Sequence, residues 1–211
     1  MDLEKKFIVL ENFIVFEGID GAGTTTQIKR IVQSDEKTYL ATAEPTNNET
    51  GKFLRRMLSG EFSVDEKTAT YLFAADRCEH IFGKGGVIEM LNKGKIVLSD
   101  RYIFSSLAYQ SIFCGKELPE HVNSPFPLPQ ILFYFDIPAE EALKRVEQRS
   151  EKKEIYEKLE LQKKIVAQYD KIIKEYEEKN SGMHIVHIDA TLPIEEITKQ
   201  IRAKIFLYTM S

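Results

Sequence analysis

The sequence predicts an α/β domain in three layers, a five-stranded parallel sheet with helices on both faces. Three observations lead there. Five short apolar runs are nearly continuous rather than alternating, as in strands covered on both faces. Helical stretches separate these runs, and a repeated β–α–β order makes the strands parallel. The first run, Phe13-Ile14-Val15-Phe16, leads into Gly18-Ile19-Asp20-Gly21-Ala22-Gly23-Thr24-Thr25-Thr26, a glycine-rich loop between a strand and a helix.

The predicted strands are Phe13–Glu17, Thr38–Ala43, Ile96–Ser99, Ile131–Asp136 and His184–Ile188. A sixth apolar run, Phe7-Ile8-Val9-Leu10, reads as an extra edge strand or an N-terminal extension. Gln27-Ile28-Lys29-Arg30-Ile31-Val32 reads as the opening turns of the first helix, and Arg55 and Arg56 fall on a short helix after Glu44-Pro45. Thr68 to Leu91 has one long helical pattern with a possible break at Gly83-Lys84-Gly85-Gly86. Pro125, Pro127 and Pro129 mark a loop. Ser150 to Lys179 is highly charged, and Ile155, Leu159, Val166, Tyr169, Ile172, Ile173 and Tyr176 give it an apolar stripe, so a long amphipathic helix is expected. With no repeat, low-complexity tract or linker, residues 1–211 read as a single domain.

A chain of 211 residues with 43% hydrophobic and 29% charged content is an ordinary soluble globular protein. The formal net charge of −4 argues against a general nucleic-acid partner but leaves room for a local site that binds a small anion. No apolar run approaches the ~18 residues of a membrane span, so no membrane partner is expected. Cys78 and Cys114 lack metal-ligand spacing, and free thiols in a cytoplasmic protein are the expectation.

The spacing Gly18-x4-Gly23-x-Thr25 matches a phosphate-binding loop, with Thr24 where that loop carries lysine. Glycines let backbone N–H groups turn inward, and a helix N-terminus adds a positive dipole end, which together make an anion cradle. Asp100-Arg101-Tyr102 ends an apolar run, the place where open α/β sheets bind ligands. An aspartate there can hold Mg²⁺ through water, and the neighbouring arginine can grip a phosphate bidentately. Phe73 and Arg77 lie four apart on a helix and share a face, as do Ser106 and Gln110. An aromatic ring beside a guanidinium suits stacking on, and hydrogen bonding to, a base. Arg55 and Arg56 are candidate phosphate contacts. Taken singly, each of these pairs also fits a solvated helix face or the core. His184 and His187 are three apart in a strand, so they face opposite ways and read as structural.

Together these motifs are a pattern. Phe16-Glu17-Gly18-Ile19-Asp20-Gly21-Ala22-Gly23, Glu44-Pro45, Phe73-Ala74-Ala75-Asp76-Arg77, Asp100-Arg101-Tyr102, Ser105-Ser106-Leu107-Ala108-Tyr109-Gln110 and Ile188-Asp189-Ala190 occur in the order found in thymidylate kinases. The chain resembles that family from about Phe13 to its final helix. The resemblance implies a P-loop NTPase three-layer sandwich with a short lid near 147–157, a homodimer, and ATP, dTMP and Mg²⁺ as ligands. It implies that Gly18, Gly21, Ala22, Gly23, Thr24, Thr25 and Thr26 hold the ATP phosphates, with the Thr25 hydroxyl and Asp100 near Mg²⁺. It puts Asp20 on the dTMP 3′-hydroxyl, Arg55 and Arg101 on its phosphate, Phe73 against thymine, and Arg77 on a thymine carbonyl. Ser106 and Gln110 would face the base, Tyr109 would lie against the deoxyribose and disfavour a 2′-hydroxyl, and Glu44 would belong to the same dTMP site.

Three positions depart from the family pattern. Thr24 replaces the loop lysine, Ala43 replaces the arginine before Glu-Pro, and the lid reads Glu154-Ile155-Tyr156-Glu157 instead of Asp-Arg-Phe-Glu. Phosphoryl transfer relies on positive charge at the transferring group. Arg145, Arg149, Lys152 and Lys153 are the remaining lid-region cations, and Arg149 matches a lid arginine of the family, so the expected catalytic set is Asp20, Asp100, Arg101 and Arg149. The leading expectation is ATP-dependent phosphorylation of dTMP to dTDP. The alternatives are a nucleotide-binding protein impaired in catalysis and a kinase of another deoxynucleoside monophosphate.

Overall fold

The computed structural model describes residues 7–148 and 158–209. Five parallel strands form one sheet in the order β2-β3-β1-β4-β5, where β1 is Val9–Glu17, β2 Tyr39–Ala43, β3 Ile96–Asp100, β4 Leu128–Asp136 and β5 His184–Asp189. Phe13 to Phe16 in the central strand are fully buried, as a strand covered on both faces requires. The run Phe7–Leu10 is neither an extra strand nor an extension. Its end continues β1, pairing Val9 with Leu128 and Leu10 with Pro129. A register shift follows, where Asn12 adopts a left-handed φ of 61° and its N–H donates to Gln130 Oε1 at 2.7 Å. Asparagine tolerates that conformation better than most residues, which permits the bulge. Pro129 lies in β4 rather than in the loop. Pairing of β4 with β5 starts only at Ile131, so the missing N–H leaves no gap in the ladder on that side.

Helix α1 (Thr24–Ser34) packs on the last helix, α9 (Ile194–Thr209), and the two lie over β2, β3, β4 and β5. The chain between β2 and β3 forms α2 (Glu49–Leu58), α3 (Glu66–Phe82) and α4 (Val87–Asn92). The long helix expected from Thr68 to Leu91 is therefore two helices, broken at the glycine cluster. A Cβ on Gly83 would stand 2.4 Å from the Glu79 carbonyl oxygen, so only glycine fits that exit. Helices α5 (Ile103–Cys114) and α6 (Glu117–Asn123) precede β4, α7 (Ala139–Glu147) follows it, and α8 (Leu159–Glu177) packs along α5. The amphipathic stretch is thus a helix from Leu159; Arg149 to Glu157, with Ile155 and nearly all of the expected lid, lies outside the described residues. No helix among the described residues is long and apolar enough to cross a membrane. His184 stacks on Tyr208 at 4.0 Å between ring centres, whereas His187 bonds Glu177 at 2.7 Å and meets the Tyr134 ring edge-on.

Candidate active site

The carboxyl ends of β1, β2 and β3 come level, because Phe16 and Ala43 both pair with Asp100. From that edge the Gly18–Thr26 loop turns into α1. Gly21 has φ +90°, and a Cβ there would sit 2.3 Å from the Ala142 carbonyl oxygen, so α7 packs on bare backbone. Gly23, at φ +97°, occupies the N-cap of α1, and no side chain among the described residues caps the helix. The amides of its first turn, from Thr24 onward, are therefore left for an anion. Thr25 is exposed, and its hydroxyl donates to Asp100 Oδ2.

Asp100 is followed by Arg101 in a left-handed conformation, φ 72°, with its N–H bonded to Phe16 O at 2.9 Å. This strained turn swings the guanidinium back over the loop. There Nη2 pairs with Asp20 at 2.5 Å, and Nη1 donates to Gly18 O at 3.1 Å and to Ser105 Oγ at 3.0 Å. The Arg101 carbon Cζ also stands 5.3 Å over the Tyr109 ring.

Beyond Arg101 opens a cavity of about 350 Å³. Its mouth carries Asp20, Thr25, Arg55, Asp100 and Arg101; its inner walls carry Glu44, Phe73, Arg77, Ser106, Tyr109 and Gln110. The residues from which the sequence predicts an acceptor site are thus brought together, although they come from six separate segments. Gly18, Gly21, Ala22, Gly23, Thr24 and Thr26 do not line this cavity and form the adjoining loop and helix start. Gln110 is buried, and its Oε1 has no hydrogen-bond partner among the described residues. An acceptor aimed into a cavity without a partner is costly unless a ligand supplies a donor.

Arg77 differs from the expected free base reader. It is fully buried, with Nε and Nη2 on Glu44 Oε2 at 2.9 and 2.6 Å and Nη2 also on Tyr102 O at 3.2 Å. Its Nη1 donates to Asn123 Oδ1 and, more loosely at 3.5 Å, to Ser106 Oγ. The other Glu44 oxygen meets His80 Nδ1 at 2.8 Å, and His80 Nε2 meets Thr42 Oγ1 at 2.7 Å. Glu44 thus sits beneath the cavity as the hub of a buried polar chain. Asp76 accepts from Thr46 N, Thr46 Oγ1 and Thr50 Oγ1 at 2.6 to 2.7 Å, which clamps the segment after β2 onto α3. Arg55 donates to Pro45 O from within that clamped segment.

Over residues 16–201 the sequence matches the thymidylate kinase family. It is 40% identical over 195 residues to a putative thymidylate kinase of Treponema pallidum (strain Nichols), covering 92% of this chain and 94% of that protein. It is 40% identical over 201 residues to a probable thymidylate kinase of Pyrococcus horikoshii, covering 90% and 94%. With a probable thymidylate kinase of Methanococcus vannielii the identity is 43% over 164 residues, 77% and 78% of the two chains. The chain belongs to the thymidylate kinase family.

Of the positions that depart from the family pattern, Ala43 lines the cavity and Thr24 opens α1. Of the remaining lid-region cations, Arg145 is engaged by Ala190 O at 2.9 Å and Glu141 at 2.6 Å. Arg149, Lys152 and Lys153 lie outside the described residues. Two site features went unread in the sequence. Asn123 holds Arg77 from α6, and Glu17 is wholly buried at the end of β1 with its carboxyl pushed up to about 7, chiefly by burial. Glu17 stood in the quoted motif, and a charged residue closing an apolar strand run was the available signal.

Proposed function

We propose that this chain transfers the γ-phosphoryl group of ATP to dTMP, giving dTDP and ADP. The carrying observation is one cavity that joins two chemistries. Its inner end offers an aromatic ring, Phe73, and Gln110 Oε1; its mouth offers Arg55 and Arg101 beside the start of α1; among the described residues Oε1 has no partner and the helix no side-chain cap. Thymine stacks on Phe73 and gives its N3–H to Gln110. The long Arg77–Ser106 contact is the one a thymine carbonyl replaces. Asp20 takes the 3′-hydroxyl, and the Tyr109 ring lies against the deoxyribose and disfavours a 2′-hydroxyl. Arg55 and Arg101 hold the dTMP phosphate with one oxygen facing the donor.

That oxygen attacks the γ-phosphorus in line while the bond to the β–γ bridging oxygen breaks and ADP departs. No side chain gives up a proton, so the protein's work is positioning two anions and offsetting their charge. The amides at the start of α1 receive the donor phosphates. Thr25 Oγ1 and the Asp100 carboxylate, already in contact, are the hard oxygen donors that Mg²⁺ requires. Bound there with the nucleotide, Mg²⁺ supplies charge neutralisation across the phosphates. Arg149 brings the further cation that Thr24, Ala43 and Ile155 do not.

The working unit is a homodimer. Tyr71, Ala75, Cys78 and Phe82 recur on α3 at intervals of four, three and four and are all exposed, an apolar stripe suited to a second copy. Sedimentation should give twice the chain mass, and Phe82→Glu should give monomers. The free thiols Cys78 and Cys114 fit a cytoplasmic location. A coupled ADP-release assay with a panel of deoxynucleoside monophosphates and with TMP ribonucleotide tests the reaction. dTMP should be the fastest acceptor. Another preferred acceptor moves the specificity, and no ADP with any acceptor leaves a nucleotide-binding protein.

A further inference from the structure

Glu17 makes more contacts than closing a strand requires. Its Oε1 accepts from the backbone N–H of Tyr102 at 2.7 Å and of Ser105 at 3.1 Å, so it caps α5 from another element. Its Oε2 accepts from Ser105 Oγ at 2.6 Å and Tyr169 Oη at 2.8 Å. Ser105 Oγ lies 2.8 Å from Tyr169 Oη and receives Arg101 Nη1. One hydroxyl therefore separates a buried carboxylate from the arginine at the cavity mouth, and one phenol joins both to α8.

We propose that Glu17 is a positioning residue for acceptor binding: through Ser105 it fixes where the Arg101 guanidinium stands, and through Tyr169 it ties that placement to α8. What Arg101 then grips, the dTMP phosphate, rests on the reading above. The physical case is that Arg101 needs outside support. Its backbone is held in a left-handed conformation unfavourable for a side-chain-bearing residue, and its one ion pair among the described residues, with Asp20, lies on the loop that must also receive substrate. An incoming phosphate competes with Asp20 for the guanidinium. The bonds that persist are those to Gly18 O and Ser105 Oγ, and Glu17 holds Ser105 in place twice, by its N–H and by its hydroxyl. Glu17 carries this role without touching substrate, because it is buried beneath the turn.

The test uses the full chain in three versions besides the wild type: Glu17→Gln, Ser105→Ala and Tyr169→Phe. Glu17→Gln keeps the shape and an oxygen for the two N–H groups but removes the charge. Ser105→Ala cuts the bridging hydroxyl, and it remains informative if the first variant does not fold. Steady-state kinetics with each substrate varied are paired with calorimetric titration by dTMP, which needs no turnover. Glu17→Gln and Ser105→Ala should each raise the KM and Kd for dTMP about tenfold, the usual loss for a hydrogen bond involving charge. The KM for ATP should stay within about twofold, and Tyr169→Phe should shift dTMP in the same direction by less. Equal changes for both substrates, no change for either, or a lowered melting temperature alone would make Glu17 a structural cap and overturn the proposal. Wild-type protein that binds dTMP but releases no ADP overturns the kinase reading and leaves the calorimetric comparison to decide on Glu17. Wild-type protein that does neither overturns both.

Discussion

The two ends of the site are built on opposite plans. On the proposed acceptor side, the charged groups Glu17, Glu44, Asp76 and Arg77 are buried and bonded to one another or to backbone. On the proposed donor side, the loop and the start of α1 offer backbone amides, an exposed Thr25 and, among the described residues, no side-chain cap. The first plan creates shape before ligand arrives, at the expense of desolvating several ions. The second leaves its polar groups in water until a phosphate displaces it. Acceptor-side changes should therefore disturb stability and dTMP recognition together, and donor-side changes should disturb turnover alone.

Arg77→Ala should have the largest effect. It strands the buried Glu44 carboxylate and removes the cation shared by Glu44, Asn123 and Tyr102 O. Removing one partner of a buried ion pair typically destabilises by about 3–5 kcal/mol. Urea unfolding should show a loss of that size, with dTMP affinity falling and ATP affinity unchanged. A variant as stable as the wild type would mean that the buried chain does not hold the acceptor side together.

Asp100→Ala tests the other side. Asp100 is only partly buried, and Thr25 is its side-chain partner among the described residues, so the melting temperature should hardly move. The turnover number should fall by about 10²–10³, the usual loss when a group that organises transition-state charge is removed. Unaltered turnover at saturating Mg²⁺ would remove Asp100 from the chemistry.

Glu17 lets pH separate the two plans. Its carboxyl rises from 4.5 to about 7, mainly by burial and against the opposing pull of Ser105, Arg101 and Tyr169. The native protein then holds a proton that the unfolded chain has released between those two values. Stability from this group is therefore greatest below 4.5 and declines as pH rises to about 7. Integrated over the window, the decline is about 3 kcal/mol. Glu17→Gln should lack it, so denaturation midpoints of the variant should gain on the wild type between about pH 5 and about pH 8. Parallel curves would mean that Glu17 keeps one protonation state throughout.

The sheet was legible because its strands are apolar runs, and their burial on both faces is written in composition. The cavity was legible as a set of motifs, and Phe73, Ser106, Tyr109, Gln110 and Arg101 meet there. The bonds that hold those groups were not. Glu17 reaches Ser105 across 88 residues and Tyr169 across 152, and Arg77 reaches Asn123 across 46. Such contacts leave no periodicity or spacing to read. The fate of Phe7–Leu10 was hidden for a related reason: one asparagine in a left-handed conformation continues the strand through a bulge that hydropathy does not register.

Thr24→Lys should have the smallest effect and bears most directly on how the donor side works. Thr24 opens α1, where a lysine would bring a cation to the donor phosphates. If that charge were missing from the working enzyme, restoring it would raise turnover by the 10²–10³ that one such contact typically contributes. The compensation reading expects otherwise. On that reading Arg55 and Arg101, which line the cavity, are joined by Arg149, whose guanidinium would be able to span two phosphate oxygens. An added lysine then meets cations as well as phosphates, so turnover should change by less than about threefold. Arg149→Ala in the same background completes the comparison, because an interaction made mainly in the transition state shows in kcat rather than in KM. Compensation predicts that kcat falls in Arg149→Ala and is partly restored by adding Thr24→Lys. A large gain from Thr24→Lys alone, with Arg149→Ala silent, would mean that the donor side lacks its cation and that the chain binds nucleotides better than it turns them over.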